Sequence, residues 1–126
     1  MQITKRCFLI AILGLALVQG SMAQGVMEFM EKTYSFEQIR EDGGSVTHSF
    51  TFKNTGNAPV VIKQVSSSCG CTVSDWSKEP VLPGKEGFVA GTFNPMGRPG
   101  NFSKSLTVVS NAEPEREVLY LTGNVI

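Results

Sequence analysis

Two cysteines separated by a single glycine are the residues of this sequence with the clearest capacity for chemistry. They lie in the stretch SSSCGCTVSDW, where Gly70 separates Cys69 from Cys71. Thiols at this spacing can form a strained disulfide that is easily reduced, as in a redox-active pair. They can also present two thiolates to a soft metal ion such as Cu(I) or Zn(II). An inert local link, two packed thiols or an intermolecular bridge are further interpretations.

The geometry of a Cys69–Cys71 disulfide depends on the glycine between them. In a regular strand the Cα atoms of residues i and i+2 are about 6.6 Å apart, close to the upper limit of about 6.8 Å for a disulfide. A turn at Gly70 would bring the sulfurs closer. The loop-entropy gain for so short a loop is only about 1.6 kcal/mol, and strain reduces it. Cys69 and Cys71 are therefore disulfide or redox candidates, but a stabilising staple is a poor explanation for them.

A metal site would need ligands beyond these two thiolates, because a structural zinc ion takes four. His48, the only histidine, and Met96 are the further candidates, although nothing in the sequence places either near the cysteines. His48 shares a strand face with apolar neighbours, which favours a hydrogen-bonded histidine at the edge of the core. We therefore predict no cofactor, with copper as the alternative.

The N-terminus has the features of a signal peptide. Lys5 and Arg6 precede an uncharged, mostly apolar run over residues 7–18, and small residues follow at 21–23. The run is too short to span a bilayer, which takes roughly 20 residues. We expect cleavage between Ala23 and Gln24, which leaves a single domain over residues 24–126 that is periplasmic or secreted.

Charge and motif content narrow the function further. The chain has 11 basic and 11 acidic residues, so removal of Lys5 and Arg6 leaves 9 basic against 11 acidic, a net charge of −2. Without a basic patch, nucleic acid is not an expected partner. No second apolar segment follows the leader, so we expect no membrane span in the mature chain. A catalytic triad would depend on His48 alone, and no local signature supports one, so we do not expect an enzyme.

The mature sequence is typical of strands divided by turns. Residues 45–53 (SVTHSFTFK) alternate apolar and polar side chains, the period-2 pattern of a half-buried strand. Further strands are predicted over residues 26–36, 59–65, 87–93, 102–110 and 117–125. Because no segment is long enough for a crossover helix, antiparallel pairing is expected. The predicted fold is all-β, an immunoglobulin-like antiparallel β-sandwich of about seven strands.

The predicted core follows from the inward positions of these strands. Its members are Phe50, Phe52, Ile62, Val89, Phe93, Leu106, Val108, Leu119 and Leu121. Trp76 is expected to cover the core as a lid. Lys104 shares the parity of Leu106 and Val108, which predicts either a side chain that reaches solvent from the strand end or a charge beside the cysteines that lowers a thiol pKa.

Several motifs in the mature chain resemble bacterial domain-of-unknown-function family 1573. The most specific are C-G-C-T at 69–72, P-G at 83–84 and the G-x-F-x-K run at 100–104. F-x-N-x-G followed by proline, at 52–59, occurs in many extracellular domains of this class. One departure is Gly91, where the resemblance implies a β-branched residue, so that a glycine predicts a gap in the core or a bulge.

The resemblance implies an exported Ig-like domain, similar in outline to pilus-chaperone and Hydin-type domains, and it implies no established activity. Our prediction is a non-catalytic binding or envelope-organising module that acts on an unknown protein or envelope partner through its strand edges and loops. The alternative is a thiol-redox or copper-handling protein that acts through Cys69 and Cys71.

Overall fold

Eight β-strands and no helix make up the part of the chain that the computed structural model describes, residues 22–68 and 71–126. In chain order they are β1 (Met27–Phe29), β2 (Thr33–Ile39), β3 (Val46–Asn54), β4 (Ile62–Ser67), β5 (Cys71–Trp76), β6 (Glu86–Phe93), β7 (Gly100–Ser110) and β8 (Arg116–Val125).

The strands form two four-stranded sheets. The first sheet has the order β1-β3-β6-β5 and the second has the order β2-β8-β7-β4. Side chains from both sheets share one hydrophobic core, as in a β-sandwich. The predicted fold class is confirmed. One pair differs from the expected pairing, because β2 and β8 run parallel. The inference from missing crossover helices did not apply here, since the chain between β2 and β8 passes through the rest of the sandwich.

The chain changes sheets at both lateral edges of the sandwich. Residues 30–32 lead from β1, at one edge of the first sheet, to β2, at an edge of the second. On the other side, β4 ends at Ser67 and β5 begins at Cys71, and these two strands are edge strands of different sheets. The region predicted as one strand over residues 26–36 is therefore two strands. Residues 30–32 contain no glycine or proline that would predict a break between them.

The period-2 pattern places the predicted residues in the core. Phe50, Phe52, Val89, Phe93, Leu106, Val108, Leu119 and Leu121 are all at most 1% exposed. Ile62 is partly buried and packs against this core. Burying such side chains contributes roughly 1.5–3 kcal/mol each.

The glycine at position 91 leaves no gap in this core. A Cβ atom on Gly91 would lie 2.7 Å from Leu106 Cδ1 and 3.2 Å from Leu121 Cδ1, so these leucines already occupy the space. The predicted gap is therefore wrong. A bulge does lie next to Gly91, on the adjacent strand β5, where the register shifts between Val73 and Asp75.

The N-terminal features lie at the limit of what the structure describes. The predicted leader covers residues 1–23, of which residues 1–21 are outside the described residues. Gln24, the expected first residue of the mature chain, is already held by the fold, because its backbone N donates to Asn57 Oδ1 at 2.7 Å. Within residues 22–68 and 71–126, no helix has the length and apolar character needed to cross a membrane.

Candidate functional site

Cys71 is the first residue of β5 and lies at one end of the sandwich. It pairs with Phe93 of β6 and is only 9% exposed. Its backbone is fixed on both sides, since Cys71 N donates to Ser68 O at 3.2 Å and Ser67 Oγ donates to Cys71 O at 2.8 Å. Cys71 is thus a buried residue at the point where the chain enters the first sheet.

The chain that leads to Cys71 is attached to the second sheet through Ser68. The backbone N of Ser68 donates to Ser105 O at 2.9 Å, and Ser105 N donates to Ser68 Oγ at 2.9 Å. These bonds extend the pairing of β4 with β7 by one residue beyond Ser67. Ser68 is therefore attached to the second sheet, and Cys71 belongs to the first.

The G-x-F-x-K run of β7 meets the C-G-C-T stretch at this end of the sandwich. Phe102 stacks on Phe93, the cross-strand partner of Cys71, with ring centroids 4.0 Å apart and an interplanar angle of 13°. The other side of Phe102 packs on Gly123, where a Cβ would lie 2.8 Å from the ring. Two motifs about 30 residues apart in sequence thus form one packed cluster, which we call the Cys71 cluster: Cys71, Phe93, Phe102, Lys104 and Gly123.

Two opposing effects act on the thiol of Cys71. Burial raises its pKa above the ordinary thiol range, because the thiolate loses hydration. A hydrogen bond from the backbone of Thr72 and the positive charge of Lys104 both lower the pKa, but by less. Lys104 is therefore close enough to lower the pKa of Cys71, which is one of the two roles predicted for this lysine, yet the larger effect of burial raises the pKa and favours the protonated thiol.

Cys69 and Gly70 lie outside the described residues, so the Cys69–Cys71 disulfide stays a prediction. The structure places the other metal candidates away from Cys71. His48 of β3 pairs with Gly91 of β6, and Gly91 pairs in turn with Val73 of β5. His48 is thus two strand spacings, about 9–10 Å, from β5. Met96 lies in the loop between β6 and β7 and is 63% exposed.

The side chain of His48 has its own partners at the edge of the core. Its Nε2 atom is 2.6 Å from Glu31 Oε1, and its ring stacks on Tyr34 with centroids 3.7 Å apart. This is the hydrogen-bonded, half-buried histidine that the strand pattern predicted. Among residues 22–68 and 71–126, no group of three or more His, Cys, Asp or Glu side chains is arranged to hold a metal ion.

Trp76 closes the core near the opposite end of β5. It is half-buried and packs against the core cluster, as predicted for a lid. The ammonium group of Lys78 lies 3.1 Å from the centre of its ring, a cation–π contact. An open cleft of about 520 Å³ runs beside it, lined in part by Pro80, Leu82 and Phe88.

The asparagine of the F-x-N-x-G motif is the structural residue that sequence reasoning undervalued. Asn54 is fully buried and its side chain makes four hydrogen bonds. Nδ2 donates to Ala58 O at 2.7 Å and to Val81 O at 2.9 Å. Oδ1 accepts from Val26 N at 3.2 Å and Gly56 N at 2.9 Å. The signal in the sequence was the alternation of β3, because Asn54 follows Phe50 and Phe52 at the same spacing of two and so faces inward.

The model of a family described as a protein of unknown function, DUF1573, matches residues 27–125. No curated protein matches the chain.

Several solved structures share the fold. A protein of unknown function from Porphyromonas gingivalis W83 aligns with a TM-score of 0.68 at 16% identity, over 84% of this chain and 50% of the other. The secreted serine protease VesC from Vibrio cholerae aligns with a TM-score of 0.62 at 19% identity, over 79% of this chain and 23% of the other. A Bacteroides ovatus GH5 xyloglucanase aligns with a TM-score of 0.51 at 13% identity, over 79% and 19%. The chain thus spans half or less of the length of each of these proteins.

Proposed function

The chain belongs to the DUF1573 family, and we propose that it is an exported, non-catalytic binding module that uses the outer surfaces of its sandwich. The observation that carries this proposal is that the motif residues serve the fold. Asn54 joins three backbone segments, Cys71 is buried under its neighbours, and Phe102 fills the space between Phe93 and Gly123. Residues used in this way leave recognition to the exposed side chains.

The size of the matched structures supports a modular role. The region equivalent to this chain makes up 23% of VesC and 19% of the xyloglucanase, so such a sandwich occurs within longer proteins. VesC is a secreted protease, which agrees with export of the present chain. These likenesses are below 20% identity and support the fold and its use as a module, without transferring an activity.

The strand edges give less support to binding by strand addition. Bulges interrupt β2 between Ser35 and Gln38, β4 between Ile62 and Gln64, and β5 between Val73 and Asp75. The fourth edge strand, β1, has only three residues. Bulges and short strands are the devices by which proteins block pairing at sheet edges. We therefore expect binding at the broad faces of the sheets and at the loops.

Co-sedimentation tests the proposal on protein purified after export. The exported chain is mixed with washed cell-envelope fractions, and the bound share is compared with that for a Cys69→Ser/Cys71→Ser variant. We expect both proteins to bind, with a folded state confirmed by circular dichroism. Loss of binding in the folded double variant would contradict a non-catalytic module and favour chemistry at the cysteines.

A thiol-redox or copper-handling protein is the second candidate, and the charge of Lys104 beside Cys71 favours it. A cation near a thiol stabilises the reactive thiolate and so assists both disulfide exchange and metal binding. Its test is the intact mass of exported protein, with alkylation before and after reduction and metal analysis of the same sample. A bridge with a high reduction potential, or stoichiometric copper on two thiols, would establish this candidate; free thiols without metal would eliminate it.

A further inference from the structure

On the outer face of the second sheet, four successive rows across the strands carry uncharged, mostly polar side chains, and the next row, Gln64–Val109–Arg116, ends in a cation. The rows follow from the pairing of β2, β8, β7 and β4, and every member is exposed or half-buried. We call this surface the neutral face; its rows are Gln38–Asn124–Asn101, Ser35–Thr122–Ser103, Thr33–Tyr120–Ser105 and Val118–Thr107–Ser66.

The lack of charge on the neutral face is a property of this surface and not of the whole molecule. Charged residues make up 17% of the chain and belong almost entirely on surfaces. On the outer face of the first sheet, Glu28, Lys53 and Glu86 form one cross-strand row of alternating charge. The neutral face holds only hydroxyl, amide and phenol groups and one valine. Charged side chains lie at its margins, Arg116 in the next row and Glu37 beside the first rows. Its ligand should therefore be uncharged, because a charged ligand would find no counter-ion along the rows themselves.

A recess at one end of the neutral face adds shape to this chemistry. It has a volume of about 500 Å³ and is lined by Ser35, Glu37, Gln38, Asn101, Thr122 and Asn124, among others. Glu37 has a φ of 60°, a left-handed conformation that is uncommon outside glycine. The hydroxyl of Ser35 supports it by accepting from Glu37 N at 3.0 Å. Strained backbone of this kind concentrates at binding sites.

We infer that the neutral face binds a neutral polysaccharide chain, with the recess receiving one of its sugar units. Hydroxyl and amide groups both donate and accept hydrogen bonds, as the hydroxyls of a sugar require. Neighbouring members of one row are about 4.7–4.9 Å apart across the strands, so an extended chain that lies along a row meets similar groups along its length. Tyr120, near the centre and 42% exposed, offers a large rigid contact surface.

Protein and nucleic-acid partners fit this face less well. The core of a protein interface is apolar and rich in aromatic residues, whereas here the apolar area comes from Tyr120 and Val118, with Phe102 in the recess. Nucleic acids and anionic glycans need basic side chains, and none lies on the neutral face. The inference rests on the proposed binding function and names its ligand class.

Affinity electrophoresis of the exported protein tests the inference with defined probes. Native gels contain barley β-glucan, galactomannan or soluble starch as neutral probes, and polygalacturonate as the anionic comparator. We expect retardation by at least one neutral probe, none by polygalacturonate, and little change between low and high salt, because no ion pair forms. Tyr120→Ala should weaken binding about tenfold, as for a central aromatic contact, and Asn124→Ala about threefold or more.

Matched controls lie on the other sheet. Phe88→Ala removes a half-buried aromatic side chain and Ser49→Ala an exposed hydroxyl, and both should bind like the parent. Failure of all the neutral probes, or equal binding by Tyr120→Ala, would overturn the inference. If the protein still sediments with envelope fractions in that case, the binding function stands and only the ligand class is wrong. If neither assay detects binding, both proposals fail.

Discussion

Lys104 and Cys71 belong to different sheets, yet the ammonium charge of Lys104 lowers the pKa of the Cys71 thiol. The effect is smaller than that of burial, so the net pKa is raised. A buried thiol next to a cation can be switched by a change in solvent access, since exposure would restore the hydration of the thiolate and leave the effect of the cation unopposed. The pKa of the Cys71 thiol reports this balance and can be measured whether or not the cysteines act in the cell.

Replacing Lys104 should make the Cys71 thiol less reactive. In a Cys69→Ser background, which isolates the one thiol, Lys104→Met keeps much of the side-chain volume and removes the charge. The pKa of Cys71 should rise further, because the remaining influence of burial is no longer opposed by the cation. The rate of alkylation between pH 7 and 10 measures this shift. Lys85→Met, at an exposed site beside the Trp76 cleft, is the control; an identical shift in both variants would show that the effect is not local.

The raised pKa of Cys71 predicts that the folded protein loses stability in alkali. Above about pH 8.5 an unfolded thiol ionises, while the folded thiol keeps its proton. The free energy of unfolding should therefore be fully maintained below this pH and fall as pH rises, by at most about 1.4 kcal/mol per pH unit. Urea unfolding of the Cys69→Ser protein at several pH values provides the slope. The same protein with Cys71→Ala should lack this component, and an unchanged slope would assign it to other groups.

Loss of the Asn54 side chain should strongly destabilise the fold. Asn54→Ala leaves the backbone N–H groups of Val26 and Gly56 without their acceptor and removes a donor from Ala58 O and from Val81 O, of which Val81 O keeps the donor Val60 N. Each unsatisfied group costs about 1–3 kcal/mol, so we expect a loss of about 3 kcal/mol or more in the free energy of unfolding. Asn111→Ala is a useful comparison, because Asn111 also accepts from one backbone N–H, that of Val61, but is exposed. A loss of similar size in both variants would contradict the role assigned to burial.

Gly91→Val should destabilise the protein through a clash with a leucine. A Cβ at this position lies 2.7 Å from Leu106 Cδ1, and overpacking of this kind costs about 1–3 kcal/mol. Shortening the neighbour with Leu106→Val should recover part of the loss. The double variant therefore tests the explanation by a mutant cycle, in thermal or urea unfolding. If the two single losses simply add, the residues do not compete for the same space.

The sequence predicted the strands whose alternation is uninterrupted. Val46, Phe50 and Phe52 recur on one face of β3, and the core residues of β7 and β8 follow the same rule. Strand β5 was not predicted as a strand, because the bulge at Ser74 breaks the period in CTVSDW. The separation of β1 from β2 was missed for a different reason: the sheet change at residues 30–32 uses no turn residue.

The candidate site was predictable in its parts but not in its assembly. The motifs around Cys71 and Lys104 were visible, whereas the stacking of Phe102 on Phe93 depends on how the two sheets face each other. The neutral face was not visible either, because its members come from four strands whose order the sequence does not state. Register brings Gln38, Asn124 and Asn101 into one row, although they are far apart along the chain.

The alternation of the chain between sheets has a kinetic consequence. Neither sheet is built from a continuous segment, since β1, β3, β5 and β6 form one and β2, β4, β7 and β8 the other. Neither can therefore form before most of the chain is available, and the contacts that do form close long loops. Domains with such high contact order fold in milliseconds to seconds, more slowly than helical bundles. For the exported chain proposed here, this delay would favour an unfolded polypeptide during translocation, and the second sheet would be complete only after β8 has crossed the membrane.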